Sequence, residues 1–273
     1  MKILINYANA KYNPARKWNT RTGRWVAKFD KIYAFGPKNV DQSFRAEHAE
    51  IFAERRGDGL WLWKPYLINK VLADVEDGDV IFYCDSGACF VRHPQCVYDE
   101  LSDDAPLFVC DIPLLESCFT KPQCFDVMRL TEERYRKSNQ IIATFFCFKV
   151  SEKTRKFMAE WLSLCCNYDL LSPAGLGKFE APDHNYEDAF VAHREDQSLF
   201  SLLCKKYGIV PHRDISQRGL KPETYRSPYY SYKVPAHPQD TYKTILFLHK
   251  SSKLDIVWLL KYMYRSIRRR WSK

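Results

Sequence analysis

A carboxylate follows the clearest strand of the chain. The apolar run at Asp79–Cys84 predicts a buried strand, and Asp85, Ser86 and Gly87 come directly after it. In an open α/β fold, ligands bind just beyond the carboxyl ends of the strands. A carboxylate at that edge can hold a divalent cation that neutralises a diphosphate, or it can accept ribose hydroxyls, and Gly87 would let a ligand approach the backbone closely. The same pattern also fits an aspartate that only opens a turn.

A second group of polar residues, His193–Gln197, lies at the start of a predicted helix. That helix, Asp196–Tyr207, is followed by Gly208, a common helix stop. Asp196 could cap the first backbone N–H groups of the helix. Alternatively, the helix could hold this carboxylate rigidly, with one oxygen facing a cleft. Glu195, directly before it, is the second candidate for that role.

Four further residues lie where a ligand could reach them. Lys64 precedes a proline at a predicted helix start, so it could pair with a diphosphate there, or it could be an ordinary surface lysine. Tyr7 and Asn9 lie at the end of the first strand, where a nucleobase could stack and a ribose could bond; simple loop packing is the alternative. His249 follows the last predicted strand and could help to hold a metal, or it could be structural.

The segments around these residues resemble a known class of enzymes. WLWKPYLINKVL at 61–72 and GDVIFYCDSG at 78–87 look like the region around the DXD-type motif of GT-A glycosyltransferases of polysaccharide (capsule or lipopolysaccharide) biosynthesis. In particular they are similar to bacterial enzymes with W-x-W-K-P ahead of Y-x-D-S-G. FTKPQCFDVM at 119–128, the ATFFCFKV strand with its EWLSLC helix, and 193–209 follow in the same order. The resemblance covers roughly residues 2–210.

This resemblance implies a hexosyltransferase-like enzyme that moves a sugar from a nucleotide-sugar donor to a glycan or lipid-linked glycan. Asp196 would be the general base in an inverting enzyme, or would stabilise the reacting sugar in a retaining one. Glu195 is the second candidate for this role. Mn²⁺ or Mg²⁺ would lie on Asp85 and His249, although Gly87 stands where the fuller motif has a second aspartate. The resemblance also implies a set of donor-binding residues: Tyr7, Asn9, Lys64, Asp85, Ser86 and Gly87.

The last twenty residues, 254–273, have a chemistry of their own. Six basic residues and one acid give this segment a charge of +5, out of +9 for the chain. Apolar residues recur in it at helical spacing, which is typical of a basic amphipathic helix on an anionic membrane surface. A helix packed on the protein body, with solvated charges, is the alternative. The chain is therefore predicted to comprise a catalytic domain, 1–253, and a membrane-association helix, 254–273, with these membrane-facing residues: Trp258, Lys261, Arg265, Arg268, Arg269, Arg270 and Trp271.

Strands and helices alternate along the chain, which predicts an α/β fold. The expected architecture is GT-A-like: a mainly parallel, Rossmann-like sheet with helices on both faces. The segment 9–23 is polar and basic and is predicted to be a loop. Further strands are predicted at 2–7, 107–111, 141–150 and 244–248, helices at 40–56, 66–74 and 153–167, and long loops at 171–194 and 211–239.

Composition excludes several classes of protein. Ten cysteines include no CxxC pair, and several lie in apolar runs, which predicts free buried thiols rather than disulfides or a zinc finger. No apolar run is long enough to span a bilayer, and the N-terminal apolar stretch is too short for a signal peptide. We therefore expect a cytoplasmic protein, peripheral on the inner face of the membrane. Without the tail the charge is about +4, so no nucleic-acid partner is expected.

Two other functions fit parts of the sequence. A phosphatase with Asp85 as nucleophile would normally have a second aspartate two residues later, where this chain has Gly87. A non-catalytic basic module that binds membranes or nucleic acid would leave the Asp-Ser-Gly and Glu-Asp-Gln segments without a role.

Overall fold

The computed structural model describes residues 1–173, 190–220, 237–249 and 251–252, together with positions 257, 260, 261 and 264. Its strands alternate with helices, as the sequence predicts for an α/β fold. In the described part the strands are β1 (Lys2–Tyr7), β2 (Lys31–Phe35), β3 (Val80–Cys84), β4 (Ala88–Phe90), β5 (Leu107–Phe108), β6 (Asp111–Leu115), β7 (Asn139–Ile141), β8 (Phe145–Lys149) and β9 (Leu246–Leu248).

The central sheet has five strands in the order β2-β1-β3-β8-β5. β1 is parallel to both β2 and β3, whereas β8 is antiparallel to β3 and β5. Four strands therefore run in one direction and β8 runs against them, so the prediction of a mainly parallel sheet is confirmed with one reversed strand. Two small antiparallel sheets, β4 with β9 and β6 with β7, extend from it.

Helices cover both faces of the central sheet, as predicted. They are α1 (Asn13–Trp25), α2 (Gln42–Glu47), α3 (Ala49–Ala53), α4 (Gly57–Leu60), α5 (Trp63–Leu72), α6 (Gln95–Asp99), α7 (Glu116–Phe119), α8 (Pro122–Val127), α9 (Glu133–Arg136), α10 (Glu152–Cys165), α11 (Tyr168–Leu171) and α12 (Glu195–Lys206), with short 3₁₀ turns at Ala10–Tyr12 and Pro37–Asn39.

Alternate residues of the central strands enter two separate cores. Ile81 and Tyr83 of β3 face the core beneath α5, α10 and α12, while Phe82 and Cys84 face the core beneath α1 and β4. Side chains of a strand point alternately to the two faces of its sheet, so both faces of β3 are buried. This explains why β3 appears in the sequence as a continuous apolar run.

The prediction of a loop at 9–23 is wrong, because α1 occupies most of it. Pro14 lies in its first turn, where a proline forfeits no helical hydrogen bond. The buried residues of α1 are Ala15, Asn19 and Gly23, so its inner face is made of small and polar side chains. A Cβ at Gly23 would lie 2.5 Å from Leu4 Cδ2, which shows how closely the helix approaches β1. Such a face carries no apolar stripe for a sequence pattern to reveal.

Three other predicted elements are divided in the structure. The predicted helix at 40–56 breaks into α2 and α3 at His48, whose φ of −113° and ψ of 39° are not helical. The predicted strands at 107–111 and 141–150 each cover two strands, because the chain leaves the central sheet and pairs β6 with β7. An apolar run does not record such a change of pairing partner.

None of the ten cysteines forms a disulfide, and eight of them are buried, which confirms the prediction of thiols without disulfides. In the portion of the chain that the structure describes, no helix combines the length and the apolar character needed to cross a bilayer. Of the predicted membrane-facing residues, Lys261 is helical and exposed. The others, Trp258, Arg265, Arg268, Arg269, Arg270 and Trp271, lie outside the described residues.

Candidate functional site

Two neighbouring cavities open at the carboxyl ends of β1 and β3. The larger has a volume of about 500 Å³ and is lined by residues after β1, by the segment around Gly57 and by the loop after β3. The smaller, about 300 Å³, is lined chiefly by the start of α12 and the segment before it. The two cavities share three lining residues, Trp61, Asp85 and Thr144. This edge of the sheet is where open α/β folds bind ligands.

Asp85 is held at the junction of the cavities by its backbone and by its side chain. Its N–H donates to the carbonyl of Thr144 at 2.8 Å, and Tyr83 donates its phenolic hydroxyl to Asp85 Oδ1 at 2.6 Å. Asn19, buried on α1, donates to the carbonyls of both Asp85 and Ala88. Sequence reasoning missed Asn19 because it placed this residue in a loop.

Lys64 joins the two predicted carboxylates. Its Nζ lies 2.6 Å from Asp196 Oδ2 and 3.7 Å from Asp85 Oδ1, and it donates to the carbonyl of Ala143 at 3.2 Å. The side chain is only 3% exposed, so the alternative of a surface lysine is wrong. Pro65 lies in the first turn of α5, where its missing N–H forfeits no helical hydrogen bond. The structure thus brings three predicted site residues into direct contact.

Burial controls the ionisation of this group. It raises the pKa of Asp196 to about 7, although the nearby Lys64 ammonium opposes that shift. Burial alone would lower the pKa of Lys64, but the charges of Asp196 and Asp85 outweigh it and raise that pKa. A carboxyl group with a pKa of about 7 is poised to accept or release a proton at neutral pH.

Asp196 does not cap its helix in the described contacts. The N-cap residue of α12 is Arg194, and it makes no side-chain capping bond. Asp196 is 4% exposed; its carboxylate faces Lys64, while its carbonyl accepts from the indole N–H of Trp161 at 3.1 Å. Asp196 therefore lies inside the first turn of α12, and its carboxylate points toward Lys64 and does not cap the helix.

Glu195 lines the smaller cavity and is already paired. Arg56 Nε lies 2.5 Å from Glu195 Oε1, so this carboxylate is neutralised by the guanidinium. Burial raises the pKa of Glu195, with Arg56 opposing the shift. Its φ of +43° is an unfavourable conformation for a residue with a side chain. Of the two predicted catalytic carboxylates, Asp196 is the one without a guanidinium partner.

Tyr7 and Asn9 both line the larger cavity. The ring of Tyr7 stacks on Trp63, with ring centroids 3.7 Å apart, and its hydroxyl donates to Asp58 Oδ2. Tyr7 is only 5% exposed, so it mainly supports the wall of the larger cavity. Asn9 accepts from the backbone N–H of Tyr12 at 3.3 Å, which fixes the short turn after β1.

The larger cavity contains further residues that sequence reasoning missed. Lys11, Tyr12, Arg55, Asp58 and Trp61 all line it. They add two cations and two aromatic rings to the predicted donor-binding residues. Asp58 lies between two glycines, and this Gly-Asp-Gly sequence is the one signal that could have indicated an unusual turn at the site.

The predicted metal ligands, Asp85 and His249, belong to the same edge. The backbone N–H of His249 donates at 2.9 Å to the carbonyl of Gly87, two residues after Asp85 in the chain. Its Nε2 is buried without a hydrogen-bond partner among the described residues, and burial lowers the pKa of the ring. His249 is not among the residues that line either cavity, so its ring is not brought beside Asp85 there. Among the described residues, no group of three or more His, Cys, Asp or Glu side chains is placed to hold a metal ion.

A buried hydrogen-bond network supports the smaller cavity from behind. Gln197, after Asp196, donates from Nε2 to Gln140 Oε1 at 2.7 Å. Gln140 in turn donates to the carbonyl of Phe119 at 3.2 Å and lies near the fully buried Glu116, which Lys205 neutralises. Pairing of a buried carboxylate in this way avoids an uncompensated buried charge. The network therefore holds the start of α12 in one position.

No family model matches this chain, and no curated protein matches it. Similar solved structures include mouse xyloside xylosyltransferase 1, with a TM-score of 0.46 and 9% identity over 93% of this chain and 99% of that one. The galactosyltransferase LgtC, in complex with donor and acceptor sugar analogues, has a TM-score of 0.46 and 12% identity over 92% and 87% of the two chains. A glycosyltransferase involved in glycosylation of the major capsid of PBCV-1 has a TM-score of 0.44 and 9% identity, over 92% of this chain and 96% of that one. Since these TM-scores lie below 0.5, function must be argued from the site.

Proposed function

We propose that this protein is a nucleotide-sugar-dependent glycosyltransferase, which moves a hexosyl group to a glycan or lipid-linked glycan in the synthesis of a surface polysaccharide. The observation that carries the proposal is the contact of Asp85, Lys64 and Asp196 where the two cavities meet. A transferase needs adjoining sites for a donor and an acceptor, with ionisable groups between them.

The larger cavity suits the nucleotide part of the donor. It combines the ring of Tyr12, which can stack on a base, with Lys11 and Arg55, whose charges attract phosphates. Ser86 and Gly87 also line it, and a glycine without a side chain would let a ligand approach the backbone closely. Tyr7 and Asn9 shape the end where the base and ribose would bind.

The smaller cavity suits the acceptor. In an inverting reaction, Asp196 takes the proton of an acceptor hydroxyl. The oxygen of that hydroxyl attacks the anomeric carbon of the donor sugar, and the bond from that carbon to the diphosphate breaks. In a retaining reaction, the ionised Asp196 stabilises positive charge on the sugar. Its pKa of about 7 leaves both forms accessible near neutral pH. Lys64 orients Asp196 and brings a positive charge toward the leaving diphosphate.

Asp85 and His249 would hold Mn²⁺ or Mg²⁺ together with the diphosphate. The chemistry such a cation supplies is neutralisation of the negative charge on the leaving group. Hard cations of this kind keep water and phosphate ligands beside a small number of protein ligands. The carboxylate of Asp85 fits this preference, and the diphosphate of the donor would complete the site.

The tail would keep the enzyme on the inner face of an anionic membrane, close to a lipid-linked acceptor. Val257, Leu260, Lys261 and Tyr264 are helical and exposed, and their spacing places them on one helix face. Val257, Leu260 and Tyr264 are each at least 60% exposed. Apolar side chains beside basic ones, in a segment of charge +5, support binding to anionic lipid.

A thermal-shift screen tests the proposed donor. The full chain is heated with UDP-, GDP-, CMP- and dTDP-linked sugars, with Mn²⁺, with Mg²⁺ and with EDTA. At least one nucleotide-sugar should raise the midpoint of unfolding of the wild type, and the Asp85→Asn variant should lose that shift. Hydrolysis of p-nitrophenyl phosphate without any shift by a nucleotide-sugar would contradict the proposal and favour a phosphatase.

A further inference from the structure

The segment between α3 and α5 has an unusual backbone. Five consecutive residues, Gly57–Trp61, have positive φ angles of 63°, 59°, 94°, 50° and 61°. Residues other than glycine normally visit the left-handed region singly, because their Cβ comes too close to the backbone. Here Asp58, Leu60 and Trp61 all adopt it. Such strain persists only where the surrounding structure imposes it, and it is concentrated at functional sites.

The fold is built to impose this left-handed turn. A Cβ at Gly57 would lie 2.3 Å from the ring of Trp61, and one at Gly59 would lie 2.6 Å from Phe52 Cδ1, so both positions require glycine. The indole N–H of Trp63 donates to the carbonyl of Gly57 at 2.8 Å. The N–H of Gly59 donates to the carbonyl of Glu54 at 3.0 Å. These bonds support the turn from both sides.

The result of this turn is the position of Trp61. It is the one aromatic residue among the three that line both cavities in the described part of the chain. The guanidinium of Arg56, which pairs with Glu195, lies 5.5 Å from the centre of its ring. The ring is therefore held between the turn and an ion pair, and it borders the passage from the larger cavity to the smaller.

We propose that Trp61 is the platform on which the transferred sugar lies, and this inference rests on the proposed function. The group in transfer must occupy the junction between the nucleotide and the acceptor. A pyranose has a face of C–H groups that can cover an indole ring, while its hydroxyls point outward. At this junction those hydroxyls would meet Asp85, Thr144 and Asp196, which are polar. Trp61 would thus select for a sugar ring, whereas the larger cavity binds the nucleotide.

Calorimetry with matched ligand pairs tests this role. UDP and UDP-glucose, GDP and GDP-mannose, and dTDP and dTDP-glucose are titrated into the wild type and into Trp61→Gly and Trp61→Phe. Glycine is chosen because it tolerates a φ of +61°, so the ring is removed without backbone strain. For the pair that binds, the gain in affinity from the sugar should fall about tenfold in Trp61→Gly and less in Trp61→Phe, while the nucleoside diphosphate binds within about twofold of wild type.

The control is Trp25→Ala. Trp25 is 68% exposed and ends α1, about 18 Å along the helix from Asn13 near the larger cavity. This variant should match the wild type with every ligand. Equal losses for nucleoside diphosphate and nucleotide-sugar in Trp61→Gly would overturn the sugar platform and make Trp61 a nucleotide contact. An unchanged gain from the sugar would also overturn it. Failure of the wild type to bind any pair would refute the proposed function, and the platform with it.

Discussion

The buried pair of Lys64 and Asp196 makes a prediction about stability and pH. The folded-state pKa of Asp196 is about 7, whereas an aspartate in the unfolded chain has a value near 3.8. Between these two values the folded chain binds more protons than the unfolded chain. The contribution of Asp196 to the free energy of unfolding therefore falls as pH rises through that interval and is level above it. At about 1.4 kcal/mol per pH unit, the loss is on the order of 4 kcal/mol.

Removal of the ammonium should extend this interval. An opposite charge in contact lowers the pKa of a carboxyl group by roughly 1–3 units. Lys64 Nζ lies 2.6 Å from Asp196 Oδ2, so Lys64→Met should raise the pKa of Asp196 from about 7 to roughly 8–10. The loss of stability that Asp196 causes should then continue above pH 7 and amount to roughly 1–4 kcal/mol more in total.

Urea unfolding at pH 5 to 10 provides the assay. Two pairs of proteins are compared: wild type with Asp196→Asn, and Lys64→Met with Lys64→Met/Asp196→Asn. Within each pair the difference in unfolding free energy, plotted against pH, isolates the titration of Asp196. The first difference should level off near pH 7 and the second at least one unit higher. Curves that level off at the same pH would refute the idea that Lys64 sets the pKa of Asp196.

The remaining predictions concern the site and the tail. Asp196→Asn should lower turnover by about 10²-fold or more, measured with purified donor and acceptor, and near wild-type turnover would leave Asp196 only a structural partner of Lys64. Asp85→Ala should abolish donor binding in calorimetry while circular dichroism shows an intact fold; unchanged affinity would reject its assignment. A chain truncated before Leu254 should still bind its donor but should no longer sediment with anionic vesicles, and the full chain should sediment less as salt rises. If the truncated chain unfolds or sediments equally, the tail is not a membrane anchor.

The position of Asp85 could be predicted because it depends on a local rule. A buried strand with a polar residue directly after it places that residue at the carboxyl edge of the sheet. The continuous apolar run of β3 made the strand visible, since both of its faces are buried. The start of α12 could be predicted for the same kind of reason, from a local helical pattern ending at Gly208. Local patterns therefore located the two halves of the site separately.

The contact between the two halves could not be predicted. Lys64 and Asp196 lie far apart in the chain, and their pairing depends on how α5 and α12 both pack against α10. The role of Asn19 was hidden as well, because α1 buries small and polar residues and lacks an apolar stripe. Only the Gly-Asp-Gly sequence pointed to the left-handed turn at Gly57–Trp61, and its full length could not be predicted, since Leu60 and Trp61 are residues that normally avoid such a backbone.

The left-handed turn also limits how this sequence can vary among relatives. A methyl group at position 59 would collide with Phe52, so an alanine there becomes tolerable only after Phe52 has been replaced by a smaller residue. Even then, its φ of +94° disfavours any side chain. At position 57 a methyl group would displace the ring of Trp61 itself. Substitutions at 57 and 61, and at 59 and 52, should therefore appear together in natural variants, and single changes at either glycine should be removed by selection.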